Sequence, residues 1–125
     1  MNTLAQIRWP TVVLGAVLVE LALFLVVLPM YLLPNGNIVV LYAVLPACLI
    51  GGFVGGLWVA RRAGRLFILH GLLLGTVAAL LYAAITWKQT LPTMYVVSNY
   101  LKVIAGVAGG IVAQRMASHP SPRLA

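Results

Sequence analysis

Acidic residues are almost absent from this chain. Among its 125 residues the only carboxylate side chain is Glu20, and there is no aspartate. That excludes a Ser-His-Asp triad and any site that works through two carboxylates. Cysteine is equally scarce: Cys48 stands alone inside an apolar block, so no internal disulfide can form. The two histidines, His70 and His119, have no second His or Cys spaced to share a metal ion. Charged residues make up 7% of the chain, against roughly 25% in a soluble domain. So little charge cannot cover a surface in water.

What is present is apolar sequence, 63% of the chain, in long blocks. Each block is close to the ~20 residues a helix needs to cross the hydrocarbon. The expected spans are about 11–33, 38–60, 66–87 and 93–113. Trp9 suits the headgroup level, and Pro10 suits a helix start, where its missing N–H is no loss. Pro34-Asn35-Gly36-Asn37, Arg61-Arg62-Ala63-Gly64-Arg65 and Lys88-Gln89-Thr90-Leu91-Pro92 read as turns. Pro46 falls inside the second span, where it removes one backbone hydrogen bond. The first block exceeds the ~7–15 residues of a signal-peptide core, and no small-residue cleavage site follows it, so it reads as a retained span. The expected fold is all-α: one domain over residues 1–115, with four transmembrane helices packed as two helical hairpins. Residues 116–125 read as a disordered cytoplasmic tail.

Net charge is +7. In a soluble protein that balance points to nucleic acid. Here the arginines sit at span ends, so nucleic acid is not the expected partner. Placing both termini in the cytoplasm puts Arg8, Arg61, Arg62, Arg65, Arg115 and Arg123 on the inner side and only Lys88 on the outer side. This bias predicts a multi-pass protein with both termini in the cytoplasm. Arg61, Arg62, Arg65 and Arg115 would then meet anionic headgroups.

Glycine is concentrated in two runs. Shifting the chain by 54 residues lays Leu49–Arg61 on Val103–Arg115, and Ile50, Gly52, Gly55, Gly56 and Arg61 meet identical residues. The match suggests a parallel internal repeat, of a kind known in transporters and elsewhere; low-complexity coincidence is the alternative. Gly52 with Gly56, Gly106 with Gly110, and Gly71 with Gly75 are four apart, hence on one helix face. Small residues there let backbones approach, which is how helices gain packing where lipid offers no hydrophobic drive. The expectation is packing within the chain; a spare groove would suit a partner membrane protein or a second copy.

Glu20 and Lys102 are the two charges that fall inside spans. An ionised group at mid-membrane costs about 2.5–3.5 kcal/mol on insertion scales. With both termini on one side, the two charges lie at similar depth, which predicts an ion pair between spans 1 and 4. Val27 and Tyr31 share the face of Glu20. Tyr95, Ser98 and Asn99 share the face of Lys102 with Gly106 and Gly109, so that face should point inward. The competing reading makes Glu20 a proton or cation site. His70 reads as a headgroup-level histidine, and Trp58, Trp87, Tyr42 and Tyr82 as interfacial or packing aromatics.

The stretch Gly15-Ala16-Val17-Leu18-Val19-Glu20 resembles the first helix of the small multidrug resistance transporters. Those proteins have four helices, a similar length and an essential glutamate in helix 1. The resemblance implies cation- or proton-coupled transport through Glu20, and it covers six residues. The chain departs from that family in three ways. Its charge bias is strong, a lysine lies near its carboxylate, and span 3 lacks a counterpart of the aromatic substrate box. More broadly, Gly51–Gly56, Arg61–Arg65 and His70-Gly71 with Gly75 resemble uncharacterised glycine-rich four-helix bacterial inner-membrane proteins. That likeness covers most of the chain and implies a fold but no activity. Together these features predict a non-enzymatic accessory or assembly protein without a cofactor. The alternative is a small secondary transporter or channel that uses Glu20.

Overall fold

The computed structural model describes residues 3–90 and 93–118. Leu91 and Pro92 of the third turn, and residues 119–125 of the expected tail with His119 and Arg123, lie outside the described residues. A short 3-10 turn over Thr3–Gln6 leads into four helices: α1 (Trp9–Met30), α2 (Gly36–Ala63), α3 (Phe67–Ile85) and α4 (Thr93–Ser118). All four are long and apolar enough to cross a membrane. Their lengths of 22, 28, 19 and 26 residues correspond to about 33, 42, 28 and 39 Å at ~1.5 Å per residue.

The helix ends follow local chemistry more than hydropathy. α1 begins at Trp9, with Pro10 in its first turn. α2 runs through Pro46 and past Arg61 and Arg62, stopping only at Gly64, whose φ of 72° closes the helix with an N–H bond to the Ala60 carbonyl. A glycine in this left-handed conformation is the usual helix terminator. The two arginines therefore sit in the last helical turn, where the helix dipole favours cations. α4 continues to Ser118, so Met116–Ser118 are helical although hydropathy placed them in the tail.

α2 and α3 touch each other, and each touches both α1 and α4; α2 against α4 is the most extensive contact. Among the described residues no Cα of α1 comes within 8 Å of a Cα of α4. The bundle is thus a rhombus in section, with α2 and α3 across its short diagonal. The arginine-bearing ends (the start of α1, the end of α2, the start of α3 and the end of α4) gather at one end of the bundle.

That end is the tight one. Val12, Ala16, Val59, Leu74 and Ala78 form a fully buried core between α1, α2 and α3. Gly15 leaves space filled by Val59, and Gly55 leaves space filled by Val19 and Leu74. α4 meets α2 and α3 backbone to backbone. A Cβ on Gly56 would lie 2.5 Å from the Gly106 carbonyl oxygen, and one on Gly110 would lie 2.5 Å from that of Phe67. Gly71 and Gly106 press on each other in the same way. In lipid such contact replaces the hydrophobic drive that water supplies to soluble bundles.

The glycines are not interchangeable. A Cβ on Gly51 would lie 3.5 Å from Leu23 and Val19 side chains, which is ordinary contact. Gly51→Ala should therefore be neutral or up to ~1 kcal/mol stabilising through helix propensity. Gly56→Ala should force α2 from α4 and lose the folded monodisperse species. Thermal melting in mild detergent, read by size exclusion, checks both. Equal tolerance of the two variants would contradict the packing described.

Candidate functional site

The site grows from the backbone of Lys102. Gly52 of α2 and Gly75 of α3 both press on it: Cβ atoms there would lie 2.5 Å and 3.0 Å from the Lys102 carbonyl oxygen. Held from both sides, α4 has one direction left for the Lys102 side chain, along the long diagonal between α2 and α3. Its Nζ reaches Glu20 Oε1 on α1 at 2.5 Å. The ammonium also donates to Asn99 Oδ1 at 3.2 Å, and it lies 5.5 Å from the centre of the Tyr82 ring. Lys102 is 1% exposed and Glu20 is 5% exposed. Two groups that would each be costly alone are brought together where water is scarce.

Above the ion pair the four helices diverge. A cavity of about 490 Å³ extends from Glu20 and Lys102 to the end of the bundle that lacks arginines, and every helix contributes to its wall. Phe24 and Val27 of α1, Val44 of α2 and Tyr82 of α3 line its middle. Asn37, Gln89 and Thr90 lie at its mouth. There Tyr31, just past the end of α1, hydrogen-bonds Tyr95 of α4 hydroxyl to hydroxyl at 2.9 Å. α1 and α4 never pack, yet side chains bridge them twice, by an ion pair at the floor and a tyrosine pair at the mouth.

The polar side chains are ordered by their own helix. Ser98 Oγ and Asn99 Nδ2 both donate to the Tyr95 carbonyl, at 2.8 Å and 2.9 Å. The Asn99 amide is thereby turned so that its oxygen faces Lys102. Glu20 uses only Oε1. No described polar side-chain atom is both buried and unpartnered, so Oε2, which has no partner, faces open space. The same holds for the Tyr82 hydroxyl.

Sequence reasoning singled out Glu20, Lys102, Tyr95, Ser98 and Asn99, and all five line this one cavity. Gly52 and Gly75 seat Lys102, while Gly56, Gly71, Gly106 and Gly110 close the bundle beneath it. Arg61, Arg62, Arg65 and Arg115 are exposed at the far end, away from the cavity. Cys48 is buried in the floor, unpaired, beside Ser98 and Lys102. Among the described residues no cluster of His, Cys and acidic side chains could hold a metal ion.

The sequence expectation put His70 at the level of the headgroups; it lies in the first turn of α3, and its side chain is fully buried among the helices. Its Nδ1–H donates to the Leu66 carbonyl at 3.0 Å, and its Nε2 accepts the Arg8 backbone N–H at 3.2 Å. Leu66 has a φ of 48°, a left-handed conformation that costs a non-glycine residue about 1–2 kcal/mol. The His70 backbone N–H binds the same carbonyl at 2.9 Å, so the loop is held by two bonds. Its signal in sequence was faint: a lone histidine at the start of a span, whose partners are both backbone groups.

Comparison of the chain with known protein families, with curated proteins and with solved structures gives no match. The functional reading therefore rests on the geometry of the cavity and its floor.

Replacing His70 by Ala removes the acceptor of the Arg8 N–H and the ring donor to Leu66. The expected loss is about 1–3 kcal/mol of stability, with unchanged helix content. Faster amide exchange at Arg8 and His70 should accompany it. Unchanged exchange at Arg8 would show that His70 does not hold the N-terminal segment.

Proposed function

We propose that this chain is a small, non-enzymatic, multi-pass protein of a bacterial inner membrane, acting as an accessory or assembly partner. The observation that carries the proposal is the Glu20–Lys102 pair. It is buried, joined ammonium to carboxylate, and set over a floor closed by backbone packing, which is how a fixed clasp is built. Its helices form two hairpins, α1 with α2 and α3 with α4, descended from one duplicated hairpin. The support for duplication is the register of the glycines and arginines. Both termini face the cytoplasm, because Arg8, Arg61, Arg62, Arg65 and Arg115 share one end of the bundle, where anionic headgroups would meet them. The opposite end carries Lys88 alone. A partner helix, or a second copy, would dock in the plane of the membrane.

A second reading is favoured by a different observation. The cavity reaches Glu20 from one side of the bundle, and the carboxylate keeps one oxygen open to it. A small transporter or channel coupled to protons or cations needs such a one-sided path to a membrane carboxylate. The weak likeness of the first helix to small multidrug resistance transporters points the same way. Lys102 opposes it, since a cation at Glu20 must displace an ammonium already held there.

Two experiments separate the readings. For a clasp, Glu20→Lys or Lys102→Glu alone should destabilise by about 3–5 kcal/mol, because each leaves like charges buried, while the double exchange restores expression and melting temperature. Full stability of either single variant removes the clasp. For transport, Glu20→Gln should fold and lose proton-driven uptake in liposomes, and uptake that survives it removes Glu20 from the path.

A further inference from the structure

A second cavity, of about 310 Å³, lies outside the bundle between α3 and α4. Ala79, Leu80 and Ala83 of α3 face Val96 and Tyr100 of α4 across it. Leu80 is 63% exposed and Tyr100 70%, so this groove opens toward the surrounding lipid. It begins above the point where Gly75 presses on Val103, where the two helices stop touching backbone to backbone. Tyr82 and Asn99 line both this groove and the inner cavity. These two side chains, with the Lys102 ammonium against both, are what the two spaces have in common.

The floor behind these side chains has a defined chemistry. Glu20 and Lys102 sum to zero charge, and their ammonium is already engaged twice. A charged head entering here would add a third, unbalanced charge beside a pair that already sums to zero, which is costly. A neutral head with hydroxyls meets none of that penalty. Glu20 Oε2 is open to accept a hydrogen bond, and the Tyr82 hydroxyl is open to give or take one. The groove exposes a mostly apolar wall, and its volume of about 310 Å³ leaves room for one alkyl chain.

We propose that the inner cavity and the α3–α4 groove form one binding site for a neutral, hydroxyl-bearing, single-chain lipid of the monoacylglycerol type. Its head lies at the Glu20–Tyr82 floor, and its chain passes between Tyr82 and Asn99 into the groove. The site stands independently of whether the protein is an accessory factor or a transporter, since binding requires neither a partner nor movement of an ion.

The test uses the full chain in phosphatidylcholine nanodiscs, with Trp9, Trp58 and Trp87 replaced by Phe and a reporter introduced in the cavity wall by Leu41→Trp. The probe is a monoacylglycerol brominated at the head end of its chain, and the control is phosphatidylcholine brominated at the same carbons. The monoacylglycerol should quench the reporter saturably, at mole fractions at least about tenfold below the control. Tyr82→Phe keeps the aromatic ring and should weaken half-saturation by about three- to tenfold, the range of one hydrogen bond. Ala83→Phe fills the groove and should abolish saturation. Quenching that rises linearly and equally for both lipids overturns the site. So does a Tyr82→Phe variant with unchanged half-saturation. Equal saturation by a brominated fatty acid or alkylamine overturns the neutral-head assignment.

Discussion

A lysine ammonium deep in a bundle built for lipid must be paired, and most of this structure can be traced to how that is done. The Lys102 stem is long, but its direction is set by the backbone beneath it. Gly52 and Gly75 press on that backbone from two helices and leave only the route toward α1. Glu20 waits on that route, on a helix that otherwise never approaches α4. The ion pair is thus a consequence of the glycines as much as of the charges. A side chain at either glycine would push α4 away and move the ammonium from its partner.

The same glycines explain why the bundle is tight at one end and open at the other. From Gly52 to the arginine-bearing ends, small residues recur at four-residue steps and the backbones stay in contact. Beyond Lys102 the glycines end: Tyr95, Ser98 and Asn99 occupy α4, and on α3 the four-residue step continues only as Ala79 and Ala83, while Tyr82 lines the cavity. Larger side chains hold the helices apart, and the cavity is the space that results. α1 closes across this space only by the Tyr31–Tyr95 bridge.

Much of this was legible in the sequence, for physical reasons. Apolar blocks near the length of a membrane crossing have one economical structure, so the four helices were readable. Two buried charges of opposite sign at matching depth have one economical arrangement, so Glu20 and Lys102 could be matched across 82 positions. Helix ends were less readable because hydropathy marks the hydrocarbon boundary. α2 and α4 continue past it until a Gly64 cap or, for α4, at least to Ser118. The role of His70 was not readable because its partners are the Arg8 N–H and the Leu66 carbonyl, and backbone groups leave no trace in residue identity. The cavity was not readable at all, since it depends on where helices diverge and not on any residue alone.

The two glycine runs also show what a repeat in sequence does not guarantee in space. Gly55 and Gly109 are equivalent under the 54-residue shift, yet Gly55 faces the side chains of Val19 and Leu74 while Gly109 faces the backbone of α2. Cys48 and Lys102 are equivalent as well, and both lie in the cavity floor. One position thus carries a neutral thiol and the other the buried cation that α1 must answer. Only one half of the chain supplies the acid, so the charge breaks whatever symmetry the glycines suggest. The cavity moderates this asymmetry. Attraction between two unit charges scales inversely with the local dielectric, and so does the cost of desolvating them. A polar-lined space at the floor lets Glu20 keep one oxygen open, which lowers the cost of burying its charge. A bundle packed tightly to both ends would need to hold the same pair dry. The open end and the buried ion pair are therefore two parts of one solution to placing a lysine inside a membrane bundle.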